Sequence, residues 1–269
     1  MKNKEIKKRM KILFGFTFLV LILLIAAIIF KYILPAIGVY IPAHSYSVEK
    51  VYEKNGLKYY EDGNYKSLAG IDVSIYQGNI DWNRVKASGV DFAIIRTGYR
   101  TRDKGEIFED TKFKENIEGA DKAGIDVGVY FFSQAITKKE AREEANFVTE
   151  LVSEYNLKYP VVFDMEYVDE KDRIRKITAE DRTEIALEFC KFIESKGLEP
   201  MIYGNPTWLG KSVNLAKISK YEIWLADYSD FTDFPYDFKI WQYTQEGKID
   251  GIKGYVDLNI HFVEDKELL

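Results

Sequence analysis

Asp164 and Glu166 stand two residues apart, directly after the apolar run Val161-Val162-Phe163. On an extended strand alternate side chains share one face and each residue rises about 3.3 Å, so the two carboxylates are neighbours, roughly 6–7 Å apart at Cα. Two carboxylates that close resist ionising together, and one keeps its proton near neutral pH. Cleavage of a glycosidic bond needs that division: a protonated acid for the leaving oxygen and an anion for the positive charge that develops on the sugar. Two further acids fall on apolar strand patterns, Asp72 inside Ile71-Asp72-Val73 and Asp257 after Val256. One Asp-x-Glu alone reads as a solvated pair. Acids on three separate apolar strands argue for a shared site. Converging carboxylates also fit magnesium binding, because a hard cation takes oxygen ligands.

Aromatic residues cluster near the same strand ends: Tyr99, Tyr130, Phe132, Tyr203, Trp224, Tyr228, Trp241 and Tyr243. Sugar rings stack their apolar faces on aromatic rings, while amides such as Gln242 take the hydroxyls. Any one aromatic taken alone reads better as core packing; the group as a whole argues for a sugar ligand. The other chemistry-bearing residues offer little. The lone Cys190 sits in a helical pattern with Phe189 and Phe192 and reads as a core residue; it leaves no intrachain disulfide. His44 and His261 lie far apart, so no zinc spacing and no metal site is expected. Net charge is -5, which gives no general affinity for nucleic acid.

The acids need a scaffold, and the chain from Ala69 onward alternates strand and helix patterns. Expected strands are Ile71–Ser74, Phe92–Arg96, Val127–Phe132, Val161–Phe163, Met201–Tyr203, Ile223–Leu225, Ile240–Gln242 and one near Val256. Expected helices begin at the capping residues Asp81, Thr137 and Thr178, with another over Phe113–Ala123. Ile185, Phe189, Phe192 and Ile193 follow helical spacing. About eight strands with interleaved helices over ~200 residues predict a mixed α/β fold, a TIM-barrel-like (β/α) barrel. The last three strands leave little room for helices, so the barrel is expected to be irregular. In such barrels functional residues lie at the C-terminal strand ends.

Several segments in order resemble glycoside hydrolase family 25. Gly70-Ile71-Asp72-Val73-Ser74-Ile75-Tyr76-Gln77-Gly78 is similar to the family's opening motif, and Asp81-Trp82 and Ser88–Arg96 continue it. Gly128–Phe132, Asp164-Met165-Glu166, Ile202-Tyr203, Trp224-Leu225-Ala226, Trp241-Gln242-Tyr243 and Asp257-Leu258-Asn259 follow. Phe131 departs from the pattern, where many members carry His, and is expected to alter the pocket lining. The resemblance covers about residues 69–262. It implies an irregular barrel that cuts the β-1,4 bond from N-acetylmuramic acid to N-acetylglucosamine in peptidoglycan, with no cofactor. Glu166 would then be the proton donor, Asp164 would orient or stabilise the substrate's N-acetyl group, and Asp72 and Asp257 would complete the acidic floor. Tyr99, Tyr130, Phe132, Tyr203, Trp224, Tyr228 and Gln242 are the expected substrate contacts.

The N-terminus is of another kind. Lys2, Lys4, Lys7, Lys8, Arg9 and Lys11 precede an uncharged apolar run, Ile12–Phe30. A helix of that length approaches the ~30 Å hydrocarbon core of a bilayer. Lys31 and Tyr32 close it as interface anchors would. A signal peptide usually has a shorter apolar run and a small-residue cleavage site; Pro35-Ala36-Ile37-Gly38 is a weak one. The expected organisation is a cytoplasmic tail (1–11), a single-pass membrane anchor (12–34), a stalk with a small hairpin acting as a spacer (35–68), and an extracytoplasmic catalytic domain (69–269). The basic cluster places the N-terminus in the cytoplasm.

Overall fold

A computed structural model of the protein describes residues 2–29 and 41–265. Residues 30–34 of the expected anchor, with Lys31 and Tyr32, lie outside the described residues. So do the Pro35–Gly38 segment and residues 266–269. Helix α1 spans Lys2–Ile28. Within it, Arg9–Ile28 has mean hydropathy 2.7 and none of its window buried in the protein. At 1.5 Å per residue that is long and apolar enough to cross a bilayer core.

Eight strands close into a barrel. They are β3 (Tyr65–Val73), β4 (Phe92–Arg100), β6 (Asp126–Phe132), β7 (Val161–Asp164), β8 (Pro200–Gly204), β9 (Glu222–Ala226), β10 (Ile240–Gly247) and β11 (Val256–Glu264). Their order around the barrel is the order of the chain, and β11 returns to pair with β3. Neighbours from β3 to β10 are parallel. A short β5 (Ile107–Glu109) forms a hairpin with the end of β4.

The expected helices are present. α2 (Trp82–Ala87) is capped by Asp81, α4 (Lys138–Leu151) by Thr137 and α5 (Ala179–Ser195) by Thr178, each side chain accepting a first-turn N–H. α3 (Phe113–Lys122) and the four-residue α6 (Leu215–Ile218) complete the crossovers. The TIM-like eightfold repeat does not hold to the end. No helix separates β9 from β10, and β11 runs antiparallel to both its neighbours. The reason is length: a parallel return needs a crossover of a dozen or more residues, and residues 248–255 allow only a reversal.

Strand alternation sorts the barrel into two layers. Outward residues such as Ile71, Ile95, Val129, Phe163 and Leu225 pack under the helices with Val148, Ile185 and Phe189. Inward residues Phe92, Ile94, Val162, Met201 and Ile240 plug the lower barrel. Phe92 stacks on Tyr159 with ring centres 4.4 Å apart. A Cβ at Gly70 would sit 2.2 Å from the Phe92 ring, so only glycine fits beside that plug.

The predicted hairpin exists as β1 (Val51–Lys54) and β2 (Leu57–Tyr60), turned by Asn55-Gly56 with φ of 55° and 78°. Positive φ at both central residues is the type I′ turn that matches strand twist. It is not a spacer. Leu57 and Tyr60 are fully buried in the outer layer, together with Tyr46.

Candidate active site

Polar residues of the inward face gather near the C-terminal ends of the parallel strands, and His261 of β11 lies lower, against Phe92 and Tyr159. Asp72 on β3 is followed around the barrel by Arg96 on β4, Tyr130 on β6, Asp164 ending β7 and Tyr203 on β8. Trp224 on β9 and Gln242 on β10 continue the ring. Asp257 and Asn259 join it from β11. Because β11 is reversed, Asp257 lies at the start of its strand, and its register partner is Asp72. Glu166 is two residues past Asp164, with Met165 between them turned outward and fully buried.

Except for the buried Asn259 and Met165, these side chains line a cleft of ≈ 970 Å³ that also includes Tyr99, Phe132 and Tyr228. Every carboxylate and substrate-contact residue named from the sequence therefore lies on one cleft. Trp241 and Tyr243 do not: they face outward, where the Trp241 indole donates to the Asp227 carbonyl and the Tyr243 hydroxyl accepts from the Lys58 N–H. Phe131 also turns outward and meets Phe147 of α4 edge-on at 5.9 Å, so it does not touch the pocket lining. It has the opposite parity to Tyr130 and Phe132 on the same strand.

Asp72 is held by two amides. Gln242 Nε2 donates to its Oδ2 at 2.8 Å and Asn259 Nδ2 donates to the same oxygen at 2.9 Å. The amides are themselves oriented. The Trp224 indole, a donor only, fixes Asn259 Oδ1 at 2.8 Å, and the Tyr203 and Tyr228 hydroxyls donate to Gln242 Oε1 at 2.9 and 2.8 Å. Burial and the charge of Asp257 push Asp72 well above the usual carboxylate range, against the pull of Asn259 and Gln242. N–H donors on that oxygen suit an anion and leave it unfit to ligate a cation.

Burial, then Glu166 and Asp72, also push Asp164 well up, with Arg96 pulling the other way. Its Oδ1 is buried and lacks a hydrogen-bond partner. Burial, then the charges of Asp257 and Asp172, lift Glu166 to about 7. Asp257 is lifted by burial to about 6. Four acids thus compete for few protons, and Glu166 keeps its proton up to neutral pH.

Arg96 and Asn259 of this ring, and Asp110 beside it, were missing from the sequence-derived site. Arg96 Nε donates to Asp110 Oδ2 at 2.7 Å, and Asp110 also accepts from the Ile75 N–H at 3.0 Å and the Lys112 N–H at 2.8 Å. The guanidinium lies over the rings of Tyr76 and Tyr99, 5.1 and 5.5 Å from their centres. Arg96 shares the parity of Phe92 and Ile94, and that signal alone marks it as inward. Cys190 is buried in α5 and burial pushes its thiol up, which removes it as a nucleophile.

Residues 71–252 match the family model of glycosyl hydrolases family 25. The autolytic lysozyme of Clostridium acetobutylicum is 26% identical over 193 residues, covering 71% of this chain and 55% of that protein. Lysozyme M1 of Streptomyces globisporus is 27% identical over 202 residues, covering 71% and 67%. The modular autolysin LytC of Streptococcus pneumoniae, solved in complex with a synthetic peptidoglycan ligand, superposes with a TM-score of 0.66. It is 24% identical, and the match covers 79% of this chain and 52% of that one. The present chain thus spans about half the length of the autolytic lysozyme and of LytC.

Proposed function

The chain belongs to glycosyl hydrolases family 25, and from that membership we propose that it is a muramidase, hydrolysing the β-1,4 bond between N-acetylmuramic acid and N-acetylglucosamine in peptidoglycan. The observation that carries this reading is the group of four carboxylates at one barrel mouth, of which Glu166 keeps its proton to about 7. The names of the two lysozyme relatives and the ligand of LytC agree with it.

Glu166 acts as general acid and gives its proton to the glycosidic oxygen. The bond to the anomeric carbon then breaks and positive charge spreads over the ring and its oxygen. Asp164 faces that charge and accepts the N–H of the 2-acetamido group. Asp72, clamped by Gln242 and Asn259, and its partner Asp257 set the negative floor. Tyr99, Tyr130, Phe132, Tyr203, Trp224 and Tyr228 offer ring faces and hydroxyls to the sugar, and Gln242 holds the hydroxyls of Tyr203 and Tyr228 in place. Arg96, pinned by Asp110, favours the anionic form of Asp164.

Helix α1 is the membrane anchor of this reading, with residues 1–11 in the cytoplasm and the barrel outside. Tethering confines cutting to nearby wall, which suits local opening or remodelling.

Mass spectrometry of fragments released from purified peptidoglycan tests the activity. Muramic acid at the new reducing ends is expected; glucosamine there overturns the bond assignment. A catalytically silent glycan-binding module would bind the same wall and leave no clearing on a cell-wall gel. Activity that disappears with a chelator would instead point to a metal-dependent hydrolase.

A further inference from the structure

The described chain resumes at residue 41, and its first residues are fastened to the barrel at three points. The Asp237 N–H donates to the Pro42 carbonyl at 2.8 Å. His44 Nε2 lies 2.9 Å from the Phe234 carbonyl oxygen. Tyr46 is 8% exposed, stacks on Phe262 at 3.9 Å, meets Tyr65 and Phe238 edge-on, and donates its hydroxyl to the Phe238 carbonyl at 3.0 Å.

Besides His44 and the hairpin residue Tyr60, the partners of Tyr46 belong to the lower end of the barrel. Tyr65 opens β3, and Phe238 precedes β10. Phe262 pairs with Ser67, whereas the mouth pair is Asp257 with Asp72. Five rungs separate the two pairs, about 17 Å at ~3.3 Å per residue. The connection from the end of α1 to residue 41 can reach at most ~47 Å at full extension, given ~3.3–3.6 Å per residue.

We infer that residues 41–47 form a strap that presents the barrel to the membrane by its lower face, so that the cleft opens away from the lipid headgroups and toward the wall. This rests on α1 being an anchor. Attachment at the lower face keeps that face within the reach of the short connection, whereas the mouth stands a barrel height farther out. A glycan strand arriving from the wall then meets Glu166 without passing between barrel and bilayer.

Fluorescence energy transfer in vesicles tests the orientation. The full chain, reconstituted into vesicles of phosphatidylcholine and phosphatidylglycerol with a headgroup acceptor dye, carries a donor at one new thiol. Glu199→Cys marks the lower end, just before β8, and Lys104→Cys the loop beyond the end of β4; both positions are exposed, and the native Cys190 is buried. Transfer from position 199 is expected to exceed that from position 104 by roughly twofold, the two differing in height by about 17 Å or more. Equal or reversed transfer in chains that float with the vesicles overturns the orientation and spares the anchor. Chains that fail to float overturn the anchor reading and the orientation with it. A His44→Ala, Tyr46→Ser double variant is expected to shrink the difference between the two labels; an unchanged difference overturns the strap as its cause.

Discussion

Asp257 stands directly opposite Asp72 across the antiparallel seam that closes the barrel. Opposed residues of such a pair point to the same face with Cα atoms about 4.5–5.5 Å apart. Asp72 accepts two amide N–H groups on one oxygen, an arrangement that favours its anion, yet burial and Asp257 raise it. The two carboxylates therefore resist ionising together.

Folding stability should fall as pH rises through this range. Burial lifts Glu166 to about 7 and Asp257 to about 6, above their ordinary values near 4. For a raised pKa the folded state favours the protonated form. That contribution is complete below about pH 4 and is lost as pH climbs through 6 and 7. Glu166→Gln and Asp257→Asn carry no charge at any pH. Each should match the parent at pH 4 and exceed it at pH 8 by about 1–3 kcal/mol, since one pKa unit is worth ~1.4 kcal/mol. Urea unfolding followed by tryptophan fluorescence measures this; a difference independent of pH would show that burial does not strain these acids.

Glu166→Gln should also lose catalysis while still binding glycan. The amide keeps the shape but has no proton to give, and general-acid help is worth roughly 10²–10⁴ in rate. In the parent, kcat/KM should decline as pH rises past about 7, where Glu166 ionises. Initial rates on soluble peptidoglycan fragments check both. A variant within a few-fold of the parent would move the proton donor elsewhere.

Gly70→Ala should destabilise the barrel without touching the cleft. The added Cβ would lie 2.2 Å from the Phe92 ring, which is wedged between Gly70 and Tyr159. Overpacking of this kind costs about 1–3 kcal/mol. Thermal unfolding reads the loss, and Phe92→Leu in the same chain should restore part of it. No recovery would mean that another contact sets the requirement for glycine.

The strands and their inward parity were legible because apolar runs alternate with one polar residue on the same face, as in Ile71-Asp72-Val73. Caps at Asp81, Thr137 and Thr178 marked the helices well. The direction of the last strand was not legible from its own residues. Asp257 reads as a residue at the end of a strand, yet it reaches the mouth by starting one that runs the other way. Arg96 could have been found by parity with Phe92 and Ile94. Its partner Asp110 could not, because their contact depends on the β4–β5 hairpin. Phe131 was misplaced by reading a motif as a lining when its neighbours Tyr130 and Phe132 hold the inward positions. The docking of residues 41–60 depends on tertiary contacts with Phe238 and Phe262 that local spacing does not announce.

Cleavage should proceed with net retention of anomeric configuration, with the substrate's own N-acetyl group as nucleophile. An inverting enzyme needs carboxyls typically ~6.5–9.5 Å apart, with a water activated between them. Asp164 and Glu166 lie two residues apart on one face, and Asp164 is enclosed, with no more than 5% of its surface exposed. The acetamido N–H of a bound muramic acid ring is a donor that an Asp164 anion can accept. Accepting that N–H would turn the acetamido oxygen toward the anomeric carbon. As the leaving oxygen takes the proton of Glu166, the acetamido oxygen closes a ring on the anomeric carbon and the nitrogen gains positive charge. Asp164, favoured as an anion by Arg96 and by that charge, stabilises the intermediate. Glu166, now ionised, takes a proton from water, which opens the ring from the face the leaving group left. Asp164→Asn should therefore be severely impaired although it donates no proton, with a loss on the scale of 10²–10³ typical of removing one group that stabilises developing charge. NMR of the first-formed product decides the stereochemistry: a β-anomer is expected, and an initial α-anomer from the β-linked glycan would refute the scheme.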